Sequence, residues 1–298
     1  MTARTLIDVR GLAELVDRGH VAVFDCRFDL ADARAGAAAY REGHIPGAWH
    51  ADLEQRLSGR ADAWSGRHPL PDRNALAAWL RSRGVATDTQ VVCYDAGPGA
   101  FAARLWWLVR WLGHDAVAVL DGGWAHWLAD GRPVEAGAGP RAPARAQSGM
   151  TGGRQHTDAA GATVQADRLH PDHTEFQLVD ARAPERFRGE QEPIDPVAGH
   201  VPGALNRPFT DNLGQEGLWL SRETLRVQWT DLLGAVEPSR VVHMCGSGVT
   251  ACHNLLAMEH AGLAGSRLYP GSWSEWIRDP SRPVTTGPES ARTQPGND

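Results

Sequence analysis

An α/β fold built from two consecutive copies of one domain, each a mainly parallel sheet flanked by helices, is what the sequence predicts. Three observations carry this. The chain has 298 residues, more than one ordinary core at roughly 100 to 200 residues per domain. Motifs recur in the same order: Val21-Ala-Val-Phe-Asp-Cys-Arg27 with Phe176-Gln-Leu-Val-Asp-Ala-Arg182, Gly43-His-Ile-Pro-Gly-Ala48 with Gly199-His-Val-Pro-Gly-Ala204, Val91-Val-Cys-Tyr-Asp95 with Val241-Val-His-Met-Cys245, and Asp121-Gly-Gly-Trp124 with Pro270-Gly-Ser-Trp273. Their separations run only from 149 to 156 positions, a drift that loops absorb, so a domain of about 130 residues is duplicated. Finally, short β-rich runs alternate with helical patterns, the signature of βα units around a sheet covered on both faces.

The elements follow in order. In the first copy, strands are expected at 21–25, 90–94 and 116–120, with helices at 73–83 and 100–112. In the second, strands are expected at 177–180 and 240–244, with a helix at 250–261. These strands are nearly continuous apolar runs, as befits parallel strands buried on both faces. The first domain is placed at residues 1–135 and the second at 161–285. Residues 136–160 have Gly, Ala, Pro and Ser with little apolar periodicity, the composition of a surface linker, so the domains are expected to be joined, not fused, with the active cleft at their interface. Residues 286–298 read as a disordered tail. Twelve tryptophans, including Trp106, Trp107 and Trp111 at helical spacing, are assigned to core and domain-interface packing.

Composition narrows the function. Hydrophobic residues make up 42% and charged residues 22%, ordinary globular usage rather than disorder. The net charge of -6 argues against a nucleic-acid partner bound by broad phosphate neutralisation. All 30 residues counted as Lys plus Arg are arginine, which excludes lysine Schiff-base chemistry and a P-loop lysine. No apolar run reaches the 18 or so residues of a membrane span, so no membrane partner is expected. The first ten residues carry Arg4, Asp8 and Arg10 without an apolar signal core, and a cytoplasmic location is expected. Four cysteines, Cys26, Cys93, Cys245 and Cys252, form neither a disulfide framework nor a paired CxxC zinc site.

Ligands of open α/β sheets bind beyond the carboxyl ends of strands. There the sequence reads Cys245-Gly-Ser-Gly-Val-Thr250 between the last expected strand and helix. Backbone N–H groups of such a turn, with the helix dipole, would favour a thiolate, and Gly246 and Gly248 let the chain wrap closely around the sulfur. Cys245 is therefore expected to be a reactive thiol. Cys252, inside the following helix, reads as an inert core cysteine, as do Cys26 and Cys93 in strands. A phosphatase would need C-x5-R, and the arginine position holds Ala251, leaving a phosphoryl group without its bidentate clamp. His243, Cys245, Cys252 and His253 would diverge from strand and helix, so no zinc site is expected.

These motifs resemble those of the tandem-domain rhodanese-type sulfurtransferases, the family of thiosulfate and 3-mercaptopyruvate sulfurtransferases. The resemblance spans roughly residues 5–285 and rests on Gly43-His-Ile-Pro-Gly47, Gly199-His-Val-Pro-Gly203, Asp121-Gly-Gly-Trp124 and the Cys245–Thr250 loop. It implies two rhodanese-like domains, the second catalytic and the first inactive, with Asp95 at the place of the cysteine. It implies that Cys245 carries a persulfide inside a loop formed with Gly246, Ser247, Gly248, Val249 and Thr250, and that no cofactor or metal is needed. A small-molecule sulfur donor would load the cysteine, and cyanide or a thiol would unload it, a reduced thioredoxin-like protein being one candidate. The neutral residues after the cysteine resemble the 3-mercaptopyruvate class more than the thiosulfate class. The alternatives are a thiosulfate-specific enzyme and a persulfide relay serving a protein thiol. By the same resemblance Arg186 would hold the donor's carboxylate, while Ile194 stands where a second arginine often occurs. Ser247 matches a serine proposed to help proton transfer, and His68 matches a histidine near the interdomain cleft, with Asp52 as a weaker acidic partner. Asp180 and Arg182 end a strand and are expected to brace the active loop. His44 and His200 recur in both copies and are expected to be structural.

Overall fold

The computed structural model describes residues 2–19, 21–140, 162–169 and 175–288. The first copy contains β1 (Leu6–Ile7), α1 (Val9–Asp17), β2 (Val21–Asp25), α2 (Ala35–Glu42), β3 (Trp49–His50), α3 (Arg73–Ser82), β4 (Gln90–Tyr94), α4 (Ala102–Trp111), β5 (Val117–Leu120) and α5 (Gly123–Ala129). The second contains β6 (Gln177–Asp180), α6 (Pro184–Phe187), β7 (Leu205–Asn206), α7 (Arg222–Leu233), β8 (Val241–Met244), α8 (Ala251–His260), β9 (Arg267–Leu268) and α9 (Ser272–Trp276). The sheets run β1-β5-β4-β2-β3 and β7-β6-β8-β9, and their pairings are parallel. Thr163 adds a parallel bridge to Leu268, taking beside β9 the place that β1 takes beside β5. The two copies thus share one strand order, and the expected α/β class with two such domains is the observed one.

Local chemistry sets the element ends. Asp72 accepts the Ala75 N–H at 2.8 Å and starts α3, and Ser221 accepts the Thr224 N–H and starts α7, each an N-cap that satisfies an otherwise orphan donor. The expected helix at 100–112 begins two residues later, because the residues before Ala102 belong to a loop gathered around Asp95.

Apolar side chains form an outer layer on each sheet: Leu12, Ile45, Leu120 and Trp127 in the first copy, Phe176, Phe187, Trp273 and Trp276 in the second. Between the sheets lies one continuous cluster containing Leu105, Trp106, Trp229, Leu255 and Leu256, where α4 packs on α8. Each leucine fully buried there stabilises the fold by about 1.5 to 3 kcal/mol. The expectation of copies joined but not fused is thereby corrected: the connecting segment reads as a linker, yet apolar side chains of α4 and α8 pack together and the domains share one core. Residues 141–160 of the expected linker and 289–298 of the expected tail lie outside the described residues.

The described parts of both segments are tied down. His44 bridges Glu135, and the Gly137 N–H donates to Arg41 O at 2.8 Å. His200 bridges Thr285, and the Gly287 N–H donates to Arg188 O at 2.8 Å. Backbone pairing therefore extends past residue 285, where disorder was expected to begin, because the peptide groups find partners at His200 and at Arg188, the end of α6.

Candidate active site

Cys245 ends β8 and opens the loop that leads into α8, 2% exposed. Its Sγ accepts the Gly248 N–H at 3.1 Å. The two loop glycines are needed for different reasons. Gly248 has φ +79°, and a Cβ there would stand 2.4 Å from Pro270 O. At Gly246 a Cβ would stand 2.9 Å from Arg67 Nη2 and 3.6 Å from Arg186 Nη1, so its missing side chain makes room for two guanidinium groups.

The matching loop of the first copy shows what such a turn holds. Asp95, at the position of Cys245, accepts N–H groups from Gly97 and Gly99 on Oδ1 and from Phe101 and Ala102 on Oδ2, at 2.9 to 3.2 Å. Burial pushes this carboxyl above its ordinary range, against the pull of the same amides. The corresponding loop around Cys245 lacks this carboxylate, and Thr250 at the start of α8 makes no side-chain cap. The amides lining it can therefore serve an anionic sulfur.

The first domain closes the loop from the other side. His68 Nδ1 lies 2.7 Å from Ser247 Oγ. Burial, then the charges of Arg104 and Arg67, push His68 down to about 4, so its imidazole is neutral at pH 7. Arg104, fully buried on α4, donates to Gly248 O at 3.0 Å and to His68 O at 3.1 Å. One guanidinium thus spans both domains at the loop. Asp52 turns its carboxylate to the Glu54 and Gln55 amides.

Arg186, on α6, faces Gly246 but is not idle. Its Nε and Nη2 bind Glu192 at 2.7 to 3.2 Å, and Nη2 also binds Asp195 at 3.0 Å. Asp195 pairs in turn with Arg67 from the first domain. Burial tends to raise both carboxyls. In Glu192 the Arg186 hydrogen bond and two backbone amides outweigh it and the group titrates low. In Asp195 burial prevails over Arg67 and the group titrates high. The sequence singles out neither Arg67, Asp195 nor Arg104. Arg67 could have been found from its place beside His68, whereas Arg104 reads as one more residue of an amphipathic helix.

The bracing role expected of Asp180 and Arg182 needs correction. Arg182 binds Asp180 through Nε and Nη2, donates to Gly199 O at 2.8 Å, and lies 4.6 Å over the Trp273 ring. It steadies the Gly199 turn and α9, and reaches the loop indirectly, through Trp273, whose backbone N–H donates to Cys245 O, and through Glu192, which it meets at 3.5 Å and which binds Arg186. Arg27 makes the same contacts with Asp25, Gly43 and Trp124 in the first copy, so this arrangement is common to both domains. His44 and His200 each point Nδ1 at a backbone carbonyl at 2.7 Å and stack on Tyr40 and Phe187, a structural use. Cys252 is buried and donates to Gly248 O, and burial pushes its thiol up to about 12. Cys26 and Cys93 are also buried. Among the described residues no cluster of three or more His, Cys, Asp or Glu side chains could hold a metal, and no helix is long and apolar enough to cross a membrane.

Comparison with known proteins agrees with this geometry. The Rhodanese-like domain family matches residues 5–130 and 164–279. A Pseudomonas aeruginosa protein named "Probable 3-mercaptopyruvate sulfurtransferase" is 50% identical over 289 residues, covering 96% of this chain and 100% of that one. The thiosulfate sulfurtransferase of Rattus norvegicus is 34% identical, covering 92% of each chain. The structure of 3-mercaptopyruvate sulfurtransferase from Leishmania major superposes with a TM-score of 0.78 at 31% identity, covering 92% of this chain and 74% of that chain. The chain, with a cysteine loop in its second domain and an aspartate in place of that cysteine in its first, belongs to the tandem rhodanese-domain sulfurtransferases.

Proposed function

We propose that the chain transfers a sulfur atom from 3-mercaptopyruvate, in preference to thiosulfate, through a persulfide on Cys245 to cyanide or a thiol. The Cys245 thiolate attacks the donor's thiol sulfur, an S–S bond forms and the donor's C–S bond breaks. The pyruvate enolate that leaves takes a proton, for which the Ser247 hydroxyl and neutral His68 form the nearest relay. An acceptor nucleophile then attacks the outer sulfur and restores the thiolate. The outer sulfur would occupy the space that the Asp95 carboxylate fills in the inactive copy, taking its charge onto backbone N–H groups.

One observation carries the donor preference: Arg186 and Arg67 converge on Gly246 beside Cys245, and both are partly neutralised by Glu192 and Asp195. Two guanidiniums facing two carboxylates leave little net positive charge. That suits a monocarboxylate better than a dianion, and Arg67 supplies from the first domain the cation missing at Ile194. Cys245 is 2% exposed, which favours small donors, while a reduced thioredoxin-like acceptor would meet only the projecting outer sulfur. A cytoplasmic setting with abundant thiols belongs to the same reading.

The test compares kcat/KM for 3-mercaptopyruvate and thiosulfate with cyanide as acceptor, and weighs donor-treated protein by mass spectrometry. The expected result is a higher value for 3-mercaptopyruvate and the gain of one sulfur atom, lost in Cys245→Ser. A strong thiosulfate preference reverses the donor assignment. Negligible turnover with fast protein-to-protein transfer makes the chain a relay, and full turnover by Cys245→Ser ends the proposal.

A further inference from the structure

Ser272 is the one non-glycine residue with positive φ among the described residues, at φ 54°. That region is disfavoured for any residue with a Cβ. Ser272 is also fully buried, so neither solvent nor a turn at the surface accounts for it. Its hydroxyl does: Oγ accepts the Cys245 N–H at 3.1 Å and donates to Tyr269 O at 3.0 Å. With the donor direction spent on Tyr269, the lone pairs are aimed at Cys245. The next residue, Trp273, donates its N–H to Cys245 O at 2.9 Å, and Ser274 donates to Gly246 O at 2.9 Å. The backbone of the nucleophile is thus held on its N–H and its C=O by consecutive residues of one segment.

The inactive copy is an internal control. Gly123 holds the place of Ser272 with φ 55°, and Trp124 and Ala125 donate to Asp95 O and Ala96 O in the same way. The backbone arrangement is therefore the same without a side chain, and glycine adopts it freely. A Cβ at Gly123 would stand 2.7 Å from Asp95 O and 3.1 Å from Gly97 Cα, so the inactive copy has no space for serine. Only the copy with the cysteine has opened that space, accepted a strained backbone and added a hydroxyl. A purely structural turn would keep the glycine.

Resting on the sulfurtransferase reading above, we propose that Ser272 is a positioning residue for Cys245: its hydroxyl fixes the Cys245 peptide so that Sγ and the loop amides meet the transferred sulfur in register. It touches neither donor nor acceptor and acts through the backbone of the nucleophile. Two substitutions separate hydroxyl from strain. Ser272→Gly removes both, and Ser272→Ala removes the hydroxyl while keeping a Cβ at positive φ.

The experiment measures kcat and KM for whichever donor the unaltered protein turns over, single-turnover loading of Cys245 followed by mass spectrometry, and thermal unfolding. Both variants are expected to lose roughly tenfold in kcat and in loading rate, about what one fixed hydrogen bond contributes, with KM for the donor within about twofold. Ser272→Gly is expected to melt no lower than the unaltered protein and Ser272→Ala to melt lower. Ser272→Gly with an unaltered loading rate, or with a rate loss matched by a lower melting temperature, overturns the proposal. If the unaltered protein loads no sulfur from any donor, the functional reading fails instead, and the two failures are told apart.

Discussion

Arg67 and Arg186 reach Gly246 from different domains and share Asp195. Replacing Arg186 with alanine is expected to lower kcat/KM for 3-mercaptopyruvate by about 2 to 4 kcal/mol, because a charge-assisted contact to the donor carboxylate is lost. Arg67→Ala is expected to cost about 1 to 3 kcal/mol in the same assay, and the double variant less than the sum, since each arginine already competes with the other for one carboxylate. Steady-state kinetics of the three variants check this, and unchanged values remove the residue concerned from the site. Cys245 and Arg186 could be named from sequence because each sits in a motif. Arg67 has a local signal only in its place beside His68, and the pairings of Arg67 with Asp195 and of Arg104 with Gly248 join residues more than a hundred positions apart.

The β8–loop–α8 unit could be read locally, because strand period, the Cys-Gly-Ser-Gly turn and helical period follow without interruption. The helix was expected at 250–261 and is α8, Ala251–His260; Thr250 lies at its boundary, where hydrogen bonding rather than composition decides. Gly248 tests this unit. Alanine there meets Pro270 O and a left-handed φ, so Gly248→Ala is expected to destabilise the protein by roughly 1 to 3 kcal/mol and to depress kcat more than KM. Thermal melts and kinetics provide the check, and a variant of unaltered stability and rate would show that the loop adapts freely. The Asp180–Arg182 pair could be read as a strand end, but its partners depend on where the Gly199 turn and α9 fold back.

At the scale of the molecule, the two copies cover each other's loops. The segment before α3 brings His68 to Ser247, and the segment before α7 lays Trp219 on His253, whose Nε2 meets Pro98 O in the Asp95 loop. Burial keeps several imidazoles neutral: it pushes His68 and His260 down to about 4, and His243 and His253 down to about 3. An unfolded histidine takes its proton near pH 6.5. The unfolded chain therefore binds protons first as pH falls, and the stability these groups contribute is present above about pH 6.5 and lost on the way down to their folded values. Denaturant midpoints are expected to fall steadily below about pH 6.5, by up to about 1.4 kcal/mol per histidine per pH unit. A flat profile down to about pH 4.5 would show that water reaches these rings.

By itself the sequence determined the duplication and the α/β class and marked the cysteine loop, because repeats, periodicity and turn residues are properties of neighbours along the chain. Only the tertiary structure decided that the domains share one core through α4 and α8, that the second guanidinium comes from Arg67, and that Ser272 holds Cys245. Those outcomes depend on which surfaces meet once apolar faces are buried, and composition, which marked a linker between the copies, says nothing of what lies across it.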